Sequence, residues 1–278
     1  MFPKLIFNDD MYIYLMILCF AAAMFVFSRV AKRYKMPAKA YNFYFNLGLI
    51  AIAAGILSAI LFQVIYDCFE MGVKGAFKSY KTDGGPGMTF LGGLTGGIGT
   101  FLIGTFLVAP KLKSGKIIRE NWHNILRTFG PCVAAAQIFG RLACFCAGCC
   151  YGKPTDSFIG ITFPGESVKR YPTQLFEIAF AIIMLLVCLK FINKSMIIYL
   201  YGYGIFRFLV EFLRGDERGE IFWQSSLSPS QFLALFMIAA ATILLVLDLT
   251  KHIFPNKNTP IPEPQQAAQP LAEVNSEK

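Results

Sequence analysis

The sequence predicts an all-α fold, a polytopic membrane bundle of about seven transmembrane helices, on three observations. Apolar runs of near-spanning length recur along the chain. Only 15% of residues are charged against 55% hydrophobic, a balance too apolar for a soluble domain of this size. The basic residues are concentrated in alternate short loops between the runs, where membrane topology accounts for them.

The expected spans are Met11–Ser28, Phe43–Tyr66, Met88–Ala109, Thr128–Ala143, Pro172–Leu189, Met196–Leu213 and Gln231–Leu247. Most approach the ~20 residues that cross the hydrocarbon. The fourth is short, which calls for tilt, deep packing or extension into the following segment. The first span resembles a signal peptide in position only: Asp9 and Asp10 precede it and a basic cluster follows, the reverse of a signal's charge order.

Orientation follows from lysine and arginine. The first loop carries Arg29, Lys32, Arg33, Lys35 and Lys39, and the third carries Lys111, Lys113, Lys116, Arg119 and Arg127. Both read as cytoplasmic. Lys190, Lys194, Lys251 and Lys257 extend the pattern, so the N-terminus is expected outside and the C-terminus in the cytoplasm. A net charge of +9 distributed in this way needs no nucleic acid as partner. Residues 1–254 read as one membrane domain, and 255–278, rich in Pro, Gln, Ala and Glu, as a disordered cytoplasmic tail.

Charges inside a bilayer cost about 2.5–3.5 kcal/mol each on insertion scales, so they face partners, water or substrate. Arg141, Glu177, Arg207 and Glu211 lie within spans, all toward the outer leaflet by the orientation above. Arg207, Glu211 and Arg214 share one helix face. They form either a structural ion-paired stripe or, with Arg141, an anion site whose guanidiniums fork onto a phosphate. At that depth the phosphate belongs to a phospholipid. Gln174 and Glu177, three apart, face the bundle interior, with Tyr171 at the interface. The glycines Gly92, Gly93, Gly96, Gly97 and Gly99 lack the context of a nucleotide loop and read as a helix-packing face, one that also admits a lipid chain.

Cys144, Cys146, Cys149 and Cys150 lie directly after Arg141. Such tight spacing does not resemble paired C-x-x-C knuckles, and no metal or other cofactor is assigned. A disulfide and a reactive thiol beside Arg141 are both open. Cys19, Cys68, Cys132 and Cys188 read as small buried hydrophobes.

These residues carry a resemblance. Gly140–Thr155 (GRLACFCAGCCYGKPT) resembles the signature GRxxNFxNGExxGRPT of the prolipoprotein diacylglyceryl transferase family. Phe90–Leu94 is similar to its FHGGL, Tyr171–Glu177 to its HPSQLYE, and Tyr203–Arg214 to its YGxxRFxxExxR, in the same order. The resemblance implies transfer of a diacylglyceryl group from an anionic phospholipid, phosphatidylglycerol, to the lipobox cysteine thiol of a secreted preprotein. The place it implies is the outer leaflet of a bacterial inner membrane. Cations would hold the lipid phosphate and a base would activate the thiol. It implies catalytic roles for Arg141, Arg207 and Glu211, with Cys149 a candidate nucleophile, and substrate contacts from Arg141, Arg207, Gly152, Gly92, Gly93, Tyr171, Gln174, Glu177 and Cys144.

The departures are chemical. Leu91 and Tyr171 stand where the family has histidines, Cys144 and Ala147 replace asparagines, and Cys149 replaces a glutamate. The chain's two histidines, His123 and His252, fall on the expected cytoplasmic side. Deprotonation then falls to Glu211, Glu177, a tyrosine such as Tyr14, or a cluster thiol. Two other readings keep the scaffold: cysteine-dependent thiol or redox chemistry, and phospholipid binding without turnover.

Overall fold

The computed structural model describes residues 9–82, 87–163, 167–215 and 228–251. Among the described residues, seven helices are long and apolar enough to cross a membrane. They are α1 (Asp9–Arg33), α2 (Ala38–Thr82), α3 (Phe90–Ile103) with the turns that carry its span to Lys111, α5 (Trp122–Cys146), α6 (Thr173–Lys190), α7 (Ser195–Val210) with the flanking turns that make its span Ile192–Leu213, and α8 (Pro229–Lys251). A short α4 (Gly115–Glu120) and a two-stranded antiparallel ribbon, β1 (Ile161–Thr162) and β2 (Lys169–Arg170), complete the described elements. The expected tail at 255–278, its boundary at 254 and His252 lie outside the described residues.

Large apolar side chains such as Ile17, Phe25, Leu57, Leu107, Ile183, Leu186, Phe236 and Leu249 are exposed along the spans. Their helices are hydrophobic all round, which suits hydrocarbon and not water. The center is α5, which packs against α1, α6 and α7, while α8 packs on α7 and α2 pairs with α3.

The fourth span is longer than its apolar run: α5 begins six residues before Thr128 and ends three after Ala143. Polar residues hid that start. Arg127, expected in a loop, is buried in the helix and donates to Asn193 Oδ1 at 3.0 Å and Asn124 Oδ1 at 2.8 Å. Pro131, one turn on, has no N–H to give the Arg127 carbonyl. Ser195 Oγ donates to that carbonyl at 2.9 Å, so the first residue of α7 repairs the break. The approach is close, since a Cβ at Gly130 would meet the Ser195 carbonyl oxygen at 2.5 Å.

The second span also overruns its expectation. α2 continues past Tyr66 but breaks at Gly72 (φ 72°, ψ 158°). Tyr80 donates to Asp67 Oδ2 at 2.7 Å although the two are 13 positions apart. In a straight helix they would stand about 20 Å apart, so the chain doubles back at Gly72. Gln63 links this fold-back to the start of α3, donating to Asp67 Oδ1 at 2.9 Å and accepting from Thr89 Oγ1 at 2.7 Å. The third span begins as an α-helix and finishes in π and 3-10 turns through Lys111.

Candidate functional site

At one end of the bundle, the C-terminal part of α5, the first turns of α6 and the C-terminal part of α7 bring their charges together. Glu177 is the hub. It is fully buried and pairs with Arg141 Nε at 2.7 Å, Arg214 Nη1 at 3.4 Å and Arg207 Nη1 at 3.5 Å. Glu211, in the 3-10 turn that ends α7, pairs with Arg207 Nη2 at 2.8 Å and Arg214 Nε at 3.8 Å, and accepts from Ser228 Oγ at 2.8 Å. Arg207 Nη2 also donates to Ser230 Oγ at the start of α8. Tyr203 OH donates to Glu177 Oε2 at 3.2 Å, and Tyr199 OH donates to Gln137 Oε1 at 2.8 Å one turn deeper.

Among the described residues three guanidiniums face two carboxylates, so this part of the network carries a net positive charge in a nearly closed setting. Arg207 and Arg214 are almost sealed, whereas the Arg141 side chain remains 19% exposed. Arg207 Nη1 has an ion-pair partner but makes no hydrogen bond among the described residues. Arg141 is therefore the accessible cation, with Arg207 behind it and Glu177 holding both at one point.

The segment leaving α5 is built onto this network. The helix ends in a reversal in which Gly148 N donates to the Phe145 carbonyl and Cys149 N to the Cys144 carbonyl, each at 3.1 Å. Gly148 takes the left-handed φ of 64° that this closure demands. The reversal returns Cys149 onto Cys144, five positions earlier in the chain. Cys150 follows, also left-handed at φ 66°. Cys144, Cys149 and Cys150 Sγ lie within 4.8 Å of one another.

The loop is then fixed to α6 and α7. Gln174 Nε2 donates to the Cys149 carbonyl at 2.6 Å and Thr173 Oγ1 to the Cys150 carbonyl at 2.8 Å. Gly152 N donates to the Tyr171 carbonyl and Lys153 N to the Leu213 carbonyl, each at 2.8 Å. Only glycine fits at 152, because a Cβ there would lie 2.6 Å from the Leu213 carbonyl oxygen. Hydrogen bonding from Cys144 and Cys150 pushes the Cys149 thiol up. Contact with Cys144 and Cys149, reinforced by Arg214, holds Cys150 well below the usual thiol range.

A family model described as prolipoprotein diacylglyceryl transferase matches residues 5–247. The chain belongs to this family. It is similar to the phosphatidylglycerol–prolipoprotein diacylglyceryl transferase of Clostridium tetani, 33% identical over 232 residues that cover 78% of this chain and 85% of the relative. A second such transferase, of Clostridium perfringens, is 34% identical over 214 residues, 72% of this chain and 77% of the relative. The Chlorobaculum tepidum enzyme of the same name is 37% identical over 127 residues, 42% of this chain and 44% of the relative.

Within the family frame, the residues singled out from sequence divide into three groups. Arg141, Glu177, Arg207 and Glu211 share one network, and Cys144, Cys149, Gln174, Tyr171 and Gly152 form the loop attached to it. Gly92 and Gly93 pack on α2: a Cβ at Gly92 would meet Phe62 Cβ at 2.7 Å, and one at Gly93 would meet Ala59 Cβ at 3.4 Å. Cys146 leaves the cluster to pack with Leu15 and Ala143.

The sequence passed over two tyrosines. Tyr203 lies one helical turn before Arg207, a spacing that marked it as facing the same network. Tyr14 is 67% exposed on the lipid-facing side, whereas Tyr12 lies within electrostatic reach of Cys144, Cys149 and Cys150. Two residues along a helix turn the side chain by about 200°, enough to exchange the two roles.

Proposed function

We propose that this protein is a diacylglyceryl transferase that moves the diacylglyceryl group of phosphatidylglycerol onto the lipobox cysteine of a secreted preprotein. The observation that carries the reading is the meeting of Arg141 and Arg207 on the single carboxylate of Glu177. Both family arginines thereby act at one point, with a net positive charge facing the accessible Arg141. In water two such guanidiniums would be screened; in a site of low dielectric they bind a phosphodiester strongly and stabilise the departing glycerol phosphate. Arg141 takes the phosphate first and Arg207, through Nη1, meets the charge that develops on the leaving group. Glu211, engaged by Arg207, Arg214 and Ser228, positions the arginines.

The positive-inside pattern supports an orientation with the N-terminus outside, which puts the Arg141 end of the bundle at the outer leaflet of a bacterial plasma membrane. There both substrates are at hand: the lipid laterally and the acceptor cysteine at the end of its signal segment. Exposed Leu209, Phe212 and Leu213 beside the network offer the apolar flank that acyl chains need.

Reconstitution tests the reading. Full-length protein in vesicles of phosphatidylglycerol, given a lipobox peptide, is expected to yield peptide heavier by one diacylglyceryl group, and Arg141→Ala and Arg207→Ala to lose the product. Absence of product, with the Clostridium tetani relative active in parallel, overturns the proposal.

A further inference from the structure

Activating the acceptor thiol is the step for which the charge network offers least. Neither Glu177 nor Glu211 is open, since one is paired with three arginines and the other with two arginines and a serine hydroxyl. The histidines of the family motifs are replaced by Leu91 and Tyr171. What stands beside Arg141 instead is a trio of thiols.

Four cysteines within seven residues suggest a four-sulfur shell, and that shell is too tight. The fold selects three. Cys144 and Cys146 project from opposite sides of α5, while the reversal at Gly148 returns Cys149 onto Cys144 and the left-handed Cys150 turns its side chain the same way as its neighbor. A non-glycine residue in that conformation costs about 1–2 kcal/mol, a cost the loop bears to bring adjacent side chains together. A cation bonded to three sulfurs at about 2.3 Å holds them some 3.8 Å apart. The trio already lies within 4.8 Å, so binding asks each sulfur to move by less than its own radius. A disulfide asks for more: about 2.05 Å between sulfurs, and a strained ring if Cys149 and Cys150 are its partners.

Charge favours the same occupant. Among the described residues of the network, three arginines stand against two glutamates, an excess of one positive charge. Three thiolates on a divalent cation carry one negative charge, which neutralises it; three thiolates with no cation would overshoot. Burial is graded in the right sense, with Cys144 and Cys150 half-buried and Cys149 exposed, so that the shell is open on one side.

We propose that Cys144, Cys149 and Cys150 form a three-thiolate site for a zinc-like divalent cation whose open fourth position takes the acceptor cysteine as its thiolate. The cation site stands on the cysteine geometry; its use on an acceptor rests on the transferase reading. Coordination deprotonates a thiol outright, so no protein base is needed. The acceptor thiol gives its proton to solvent water and binds through sulfur. A sulfur lone pair then attacks the glycerol carbon that bears the phosphate ester. The carbon–sulfur bond forms as the carbon–oxygen bond breaks, and glycerol phosphate leaves with the bonding pair toward Arg141 and Arg207. The oxidation state of the cation does not change and no oxidant or reductant takes part.

Metal titration of the full-length protein in detergent, thiols reduced and oxygen excluded, tests the site. Cadmium is the probe, read by its sulfur-to-metal absorption, and zinc competes for it. One equivalent per chain is expected, weakened at least tenfold by Cys144→Ser, Cys149→Ser or Cys150→Ser and retained by Cys146→Ala and Cys132→Ala. A lipobox peptide is expected to shift the absorption as a fourth sulfur binds, and its Cys→Ser version not to. No cadmium bound, or cadmium lost equally in Cys132→Ala, overturns the site. Transfer activity that survives complete metal removal overturns the cation's part in activating the acceptor and leaves the transferase reading intact. Bound cadmium with a fourth sulfur from the peptide but no lipid transfer sustains the site and sinks the transferase reading.

Discussion

Gln174 Nε2 donates to the carbonyl oxygen of Cys149 across 2.6 Å, joining the first turn of α6 to the loop that leaves α5. Gln174 is fully buried, so the amide has no water to fall back on. Gln174→Leu keeps the volume and removes the donor, leaving a carbonyl unsatisfied at a cost of about 1–3 kcal/mol. The expected outcome is a lower melting temperature in detergent and faster amide exchange at residues 148–152. Unchanged exchange there would show that the bonds of Thr173, Gly152 and Lys153 hold the loop without Gln174.

Glu177→Gln is expected to be the most damaging single change in the network. It removes the carboxylate shared by Arg141, Arg207 and Arg214 and leaves Glu211 as the remaining acidic partner in the network. Breaking a buried pair from one side costs about 3–5 kcal/mol, because the partner charges stay buried. Thermal unfolding reads the loss. The double variant Glu177→Gln with Arg214→Met, which removes one of the three charges that shared Glu177, is expected to recover part of it; a further fall in stability would mean that Arg214 contributes more through Glu211 than through Glu177.

How much of this was legible follows from the range of each interaction. Spans are a local property of composition, and all seven were placed within a few residues except where polar side chains were buried, as at Arg127 in α5, or where the chain doubled back, as at Gly72 in α2. Arg141, Glu177, Arg207 and Glu211 were visible because charge inside an apolar run is expensive and must converge on something. Their division of labour was not visible. That Glu177 rather than Glu211 is the hub depends on the packing of α5, α6 and α7, which no spacing encodes. The departure of Cys146 from the cluster was within reach, since helical periodicity alone separates it from Cys144. The convergence of Cys149 and Cys150 was not, because it depends on left-handed residues at 148 and 150.

The glycine face of α3 packs on α2 unevenly, and the unevenness is testable. A Cβ at Gly96 would collide with Ser58 Cβ, whereas one at Gly99 meets nothing within 4 Å. Gly96→Ala is expected to push α2 and α3 apart at a cost of about 1–3 kcal/mol. Gly99→Ala is expected to be neutral or slightly stabilising, since alanine is the better helix former. Paired thermal melts check both; equal effects would mean that helix propensity, and not close approach, governs this face.

The contact between Ser195 and Arg127 makes a prediction that sequence spacing alone could not. Pro131 denies the Arg127 carbonyl its helical donor, and Ser195 Oγ supplies one from α7 at 2.9 Å. Ser195 is fully buried, so in Ser195→Ala the carbonyl is left bare, at a cost of about 1–3 kcal/mol. Pro131→Ala restores an N–H at the position where the helix needs it. If the hydroxyl serves mainly to repair the proline break, Ser195→Ala made on the Pro131→Ala background is expected to cost less than half as much. The coupling energy from the four melting curves measures this directly. Additive effects would show that Ser195 stabilises α7 against α5 by packing, with the hydrogen bond contributing little.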